Sequence, residues 1–337
     1  MDQNVNEKLE AAGQKKTAAT KIDARLVGSI APYAGLVLVV VVFAALTRGA
    51  LLSVNNLQAM ASTVIMTAMC AIGSVFVFGA GYFDMSVGGT LCLAAVLGCK
   101  AMIATGSFLA GFLVIVAVSA VLALVKGVLA AYVNIPFFIF TIILASIFSA
   151  VVLVIMGSET IIYLSSAVKP LREFSFTEIS IISVIVLAAF YILCLVVFKY
   201  TPLGIKVKNM GGSMISARQS GIDTTKTTLT VFLMGALGVS LAAFLLLLRT
   251  RTAGATTAST VGTDVMVALV LGGMPLSGGP RSKISAGLLG AVTITVLNSG
   301  LAIMGLSTGQ IQVTRGLVFI VVVLVSSLSY RGKLLPR

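Results

Sequence analysis

A chain that stays apolar for about twenty residues at a time has few ways to fold, and this one does so repeatedly. A helix rising 1.5 Å per residue needs ~20 such residues to cross ~30 Å of hydrocarbon, with its backbone hydrogen bonds satisfied internally. Ten segments meet or approach that length: 26–47, 60–80, 87–104, 107–130, 137–157, 179–198, 229–248, 264–274, 284–304 and 311–328. The eighth is interrupted by Gly272, Gly273 and Pro275, so a broken helix, or one that starts earlier, is expected there. Charged residues make up 10% of the chain and apolar ones 58%, where a soluble domain carries about 25% charged. The expected fold is all-α: a polytopic membrane bundle of about ten transmembrane helices, some broken or short.

The placement of charge supplies a second test. The net charge is +13, and Lys and Arg concentrate in cytoplasmic loops of membrane proteins. Lys8, Lys15, Lys16, Lys21 and Arg25 precede the first span, and Lys126 falls at the next basic inside turn. Lys199, Lys206, Lys208, Arg218 and Lys226 follow on the same side, then Arg281, Lys283, Arg331, Lys333 and Arg337. The opposite side receives Arg48, Lys100, Lys169, Arg172, Arg249 and Arg251. An even number of spans with both termini inside fits that excess. Residues 1–25 read as a cytoplasmic tail, 26–330 as the transmembrane domain and 331–337 as a second tail. The main outer loop, Gly157 to Glu178, carries Glu159, Glu173 and Glu178.

Several chemistries lack their residues. The chain has no histidine, the commonest general base and metal ligand. Cys70, Cys92, Cys99 and Cys194 all lie in apolar runs without metal-ligand spacing, so no metal site is expected. Basic residues are not interleaved with aromatics, which argues against nucleic acid. No G-x-x-x-x-G-K-[ST] occurs, so any ATP must sit on another polypeptide.

One polar insert stands out between apolar runs, Lys199 to Asp223. Ser213 can cap a helix by accepting from a free amide of the first turn, and Gly221 suits a left-handed helix terminus. A short helix of roughly two turns between Gly211 and Gly221, outside the membrane, is expected. Elsewhere GALGVSLAAF and SAGLLGAVTITVLNSG bring small residues close together, which lets helix backbones approach in lipid. GYFDMSVGG (Gly81 to Gly89) and GMPLSGG (Gly273 to Gly279) share a weak likeness that fits an internal repeat with broken helices.

Asp84 is an ionisable group between two apolar runs, with no basic neighbour nearby in sequence. It either lines a pathway, where it could also couple an ion gradient, or caps the third helix; the cap is the plainer reading, and the same applies to Asp264. Asn134 and Thr141 flank Pro136 at a helix start. Asn298, Ser299, Gln310 and Gln312 are uncharged polar groups that suit a neutral polyol or hold helices together. With Ser86, the residues Asp84, Asn134, Thr141, Asn298 and Gln310 are the pathway candidates.

In combination these stretches resemble the membrane permeases of sugar-type ABC importers. GYFDMSVGGTLCLAAV is similar to that family's G-G-I-D-L-S-V-G segment, and NIPFFIFTIILASI to its P-P-F-I-V-T-L-G-T. TPLGIKVKNMGGSMISARQSGID resembles its T-x-x-G-R-x-I-x-A-I-G-G-N-x-x-A-A-R-x-S-G-I loop. ALVLGGMPLSGGPRSKISAGLLGAV resembles its A-V-V-L-G-G-x-x-x-x-G-G-x-G-x-x-x-G-x-x-x-G-A. The resemblance runs from about Leu51 to the C-terminus. It implies a subunit of the bacterial plasma (inner) membrane that works with an ABC ATPase, an extracytoplasmic substrate-binding protein and a second permease copy, identical or homologous. The chain itself would bind no cofactor, ATP being held by the partner. Gly211, Gly212, Ser213, Ala217, Arg218, Ser220 and Gly221 would form the helix that seats in the ATPase. Asp84, Ser86, Val87 and Gly88 match the second motif, and Gly272, Gly273, Gly278 and Gly279 the last. Ser213 stands where the family usually has Asn, Ser216 where it has Ala, and Gly262 where Glu is common. Ile205-Lys206 replaces Gly-Arg, and Ile135-Pro136 has one proline where two are usual. These departures leave the solute open.

Overall fold

The computed structural model describes residues 30–133, 136–164 and 175–331; the N-terminal tail, Asn134 and the tail beyond Arg331 lie outside them. Twelve α-helices are present among the described residues, with a single 3-10 turn at Ala50–Leu52. They are α1 (Ile30–Leu46), α2 (Val54–Gly79), α3 (Val87–Thr105), α4 (Phe108–Tyr132), α5 (Phe137–Met156) and α6 (Phe176–Tyr200), followed by α7 (Pro202–Gly212), α8 (Met214–Gln219), α9 (Thr224–Thr250), α10 (Val261–Leu271), α11 (Ile284–Ile303) and α12 (Thr308–Arg331). Among the described residues, seven of these are long and apolar enough to cross a membrane, and Ile30–Leu46, Val261–Leu271 and Thr308–Leu324 are further apolar helical stretches. Apolar helices thus stand at all ten places where spans were expected.

Local signals explain the boundaries. Ser107 accepts from the Ala110 amide at the start of α4. Ser175 and Glu178 form a reciprocal capping box on α6, and Pro202 opens α7, where its missing donor costs nothing. Asp223 accepts from the Lys226 amide at 2.9 Å to start α9. That bond, first among several contacts with Lys226, holds the Asp223 carboxyl below the usual carboxylate range.

The core is organised on α2, which is buried throughout from Thr67 to Gly79. Small residues set its packing distance. A methyl group at Gly73 would stand 3.2 Å from the carbonyl oxygens of Met234 and Gly235 in α9, and one at Gly287 in α11 would stand 2.9 Å from the Ile72 amide. Such approaches drive helix association in lipid, where burying apolar surface gains little. Farther along, the Ser299 hydroxyl donates to Asn56 at 2.8 Å, tying α11 to the start of α2.

Three features depart from expectation. Lys126 does not lie in a turn: α4 continues past it to Tyr132, and Lys126 is buried at 4% exposure. Its charge stays within the bundle because an acid from another element neutralises it. The polar insert holds two helices and not one, since Gly211 and Gly212 end α7 before α8 begins. In the outer loop, β1 (Ile161–Tyr163) pairs antiparallel with β2 (Thr252–Gly254), Ile162 facing Ala253. The ends of α5 and α9 are thereby stitched together. Lys100 supports the same end by donating to the Ile155 carbonyl at 2.6 Å, in the last turn of α5.

Candidate functional site

The segment 80–86, between α2 and α3, is built from turn chemistry inside an apolar bundle. At Gly81 the chain takes a positive φ of 91°, and Gly273 after α10 does the same at 89°. In both places the amide of that glycine donates three residues back and the next amide, Tyr82 or Met274, donates five back. This is the Schellman closure. Gly221 and Gly305 close their helices in the same pattern, so the closure alone does not establish an internal repeat.

Asp84 is engaged on every side. Its Oδ1 accepts from the Ser86 amide at 2.8 Å and from the Ser86 hydroxyl at 2.6 Å. Its Oδ2 faces Lys126 Nζ at 2.7 Å, and the ammonium also donates to Thr90 Oγ1 at 3.3 Å. The cap reading is not met: Ser86 and not Asp84 stands at the α3 N-terminus, and no side chain caps the helix there. Asp84 instead braces the turn before α3 and forms a buried ion pair with Lys126. Thr141 latches the same segment from α5, accepting from the Met85 amide and donating to the Phe83 carbonyl or to Phe138 in its own helix. A second buried pair joins Asp264, in the first turn of α10, to Arg315 of α12, while Thr260 Oγ1 donates to Asp264 at 3.1 Å. Asp264 is the fourth residue of α10 and accepts from the Thr260 and Arg315 side chains, so the expected cap is not made there either. Both acids are charge-neutralised, as groups in a low-dielectric interior must be.

The first turns of α3 and α10 meet backbone to backbone within the bundle. A methyl group at Gly88 would stand 2.7 Å from the Ala258 carbonyl and 2.9 Å from the Gly262 amide. Beside this crossing lies a cavity of about 200 Å³, bounded by α3, α5 and the approach to α10. Its polar lining comes from Ser146 and Ser149 of α5, Ser259 and Thr263 near α10, and Cys92 of α3. The Cys92 thiol donates to the Gly254 carbonyl at 3.3 Å. None of the lining residues is charged. Hydroxyls can both donate and accept, so such a surface exchanges hydrogen bonds with a neutral polyhydroxylated solute without demanding a counter-charge.

At one end of the bundle α7 and α8 form a knuckle. Ser213 caps α8 by accepting from the Ser216 amide at 3.2 Å, Ala217 is buried, and Arg218 Nε donates to Thr224 Oγ1 at 3.1 Å. Ile215 is 72% exposed, and Ser216, Arg218 and Gln219 are exposed beside it. Gly211 is pressed against Gly79 at the end of α2 and against Gly279 before α11, while the Gly279 amide donates to the Gly79 carbonyl at 2.9 Å. Gly278 packs on the same turn of α2, and Gly212 meets only Pro280. The knuckle is thus joined directly to the helix that leads into the Asp84 segment.

The remaining candidates have other surroundings. Gln310 caps α12, its Oε1 accepting from the Ser307 amide at 2.8 Å. Asn298 Oδ1 is buried in α11 without a hydrogen-bond partner. Thr141 accepts from the amide of Met85, which lines the cavity, and Asp84 and Ser86 flank Met85 in the chain, but none of the described pathway candidates lines it. The lining hydroxyls were missed in the sequence. Ser146 and Ser149 at i,i+3 in a strongly apolar helix were the available signal. Arg315, a lone cation inside the last apolar run, was another.

The family model described as branched-chain amino acid transport system / permease component matches residues 56–326. The chain belongs to this permease family. The permease is therefore a transport component and not an enzyme, and its apolar helices make it a multi-pass membrane protein. It is 28% identical over 309 residues to the ribose import permease protein of Bacillus subtilis (strain 168), covering 88% of this chain and 91% of that one. The D-allose transport system permease protein of Escherichia coli (strain K12) is 27% identical over 295 residues, 86% of this chain and 89% of that one. The galactofuranose transporter permease protein of the same strain is 25% identical over 264 residues, 77% and 76%. No solved structure matches the permease.

Proposed function

We propose that the permease carries a neutral sugar, a pentose, hexose or related polyol, inward across the bacterial inner membrane in an ATP-driven importer. The observation that carries this reading is the uncharged, hydroxyl-lined cavity where α3 and α10 meet. An amino acid brings an ammonium that needs an anionic or carbonyl-rich partner. The acids nearest the cavity, Asp84 and Asp264, are already committed to Lys126 and Arg315. The relatives named for ribose, allose and galactofuranose support the same class.

Ser146, Ser149, Ser259 and Thr263 are exposed on one flank of the bundle. Hydroxyls at membrane depth are poorly suited to lipid tails, so a second permease copy, identical or homologous, covers that flank and completes the pathway. The α7–α8 knuckle docks on a separate ATPase, and a substrate-binding protein delivers the sugar at the opposite end. Closure of the ATPases moves the knuckle, and the Gly211–Gly79 contact passes that motion to the Asp84 segment beside the cavity. Asp84 as the coupling site of an ion-driven transporter finds no support, because its carboxylate is already paired.

Arg218→Glu tests the coupling. Sugar uptake and ATPase co-purification in mild detergent are expected to collapse with the permease at its normal membrane level; normal uptake would count against the assignment. Thr263→Val tests the cavity. Removing one hydrogen-bonding hydroxyl is expected to raise the half-saturating sugar concentration several-fold, from about 0.5–1.5 kcal/mol per bond. An unchanged value, measured in vesicles loaded with ATP, would place the sugar elsewhere.

A further inference from the structure

The helices α2, α6 and α9 pack closely along one half and part along the other. In the closed half, the Phe76 and Phe198 rings meet edge to face at 5.3 Å, and the Phe190 ring lies 3.3 Å from where a methyl group on Gly238 would sit. Before Ile65, α2 is exposed or half-buried throughout. A groove of about 260 Å³ opens there, at the end of the bundle away from α8. Its floor is apolar, with Ile65, Met66, Ile179, Leu245 and Leu246. Gln58, Thr177 and Arg249 stand along it, and among the described residues the side chains of these three have no hydrogen-bond or ion-pair partner. Arg249 is half-buried in the last turn of α9.

We propose that this groove binds one anionic phospholipid, with its phosphate on Arg249 and an acyl chain along the apolar floor. A guanidinium is always charged and presents a planar fork that matches phosphate oxygens. The Gln58 amide and the Thr177 hydroxyl add donors beside it. The last turn of a helix as long as α9 lies at headgroup height, while the floor descends to acyl depth. A soluble acidic partner could reach the cation but has no use for the apolar floor, which is why a lipid is the better fit. The inference is independent of the solute carried.

The purified permease in mild detergent, offered equal amounts of dioleoyl phosphatidylglycerol and dioleoyl phosphatidylcholine, reads this out by native mass spectrometry. One phosphatidylglycerol is expected to be retained in preference, and Arg249→Gln to reduce that retention about tenfold, as loss of a charge-assisted pair implies. Ala61→Phe, on the exposed face of the groove, fills the floor with Arg249 intact and is expected to weaken the same adduct. Equal retention of the two lipids by the unaltered permease would overturn the proposal, and so would full retention by Ala61→Phe. Those two measurements decide the matter even if Arg249→Gln fails to fold. Loss of phosphatidylglycerol retention in either variant with uptake unchanged would leave the transport reading standing and confirm the groove as a separate site.

Discussion

Lys126→Met is expected to remove most of the permease from the membrane, and adding Asp84→Asn to restore it. The single change leaves the buried Asp84 carboxyl bonded to Ser86 with its counter-charge gone. Breaking a buried pair in this way costs about 3–5 kcal/mol, a large part of the roughly 5–15 kcal/mol that holds a domain folded. The double variant has no such defect, because an asparagine oxygen can still accept from the Ser86 amide and hydroxyl that now bond Asp84 at 2.8 and 2.6 Å. Fluorescence-detected gel filtration and thermal unfolding in detergent give the four corners of the cycle. A single Lys126→Met variant with wild-type abundance and midpoint would show that the pair does not hold the α2–α3 segment.

Gly211→Ala and Gly212→Ala should behave quite differently although the glycines are adjacent. A methyl group at Gly211 would overlap the Gly79 carbonyl and the Gly279 amide, both backbone atoms that cannot turn aside. At Gly212 it would meet Pro280 at 3.6 Å, an ordinary contact. Overpacking of this kind costs about 1–3 kcal/mol. The cheapest relief is to lift the knuckle off the end of α2, leaving the spans intact. Uptake should therefore fall by an order of magnitude or more in Gly211→Ala, at an unaltered membrane level, and stay near normal in Gly212→Ala. Equal uptake in the two variants would disconnect the knuckle from the pathway.

Much of this was legible from the chain because the governing signals are local. Twenty-residue apolar runs located the spans, Ser213 and Gly221 bounded a short helix outside them, and Gly272, Gly273 and Pro275 marked the interruption at which α10, which starts earlier than 264, ends. The errors came where a residue's partner is far away in sequence. Lys126 next to Gly127 looks like a turn until Asp84, 42 residues earlier, is seen to neutralise it. Arg315 likewise makes sense only beside Asp264, 51 residues before it. The hydroxyls of the cavity gave too faint a pattern, since single serines in apolar helices usually bond their own backbone, as Ser146 and Ser149 do.

What the sequence alone determined was the class of fold, the succession of helices and the site of the knuckle. Hydropathy, capping and chain breaks act within a few turns and need no tertiary partner. Only the tertiary structure decided which charges are neutralised, which glycines are contact points and where the hydroxyls gather. Those outcomes depend on distances between separate helices, and in lipid those distances are set by how closely particular backbones can approach.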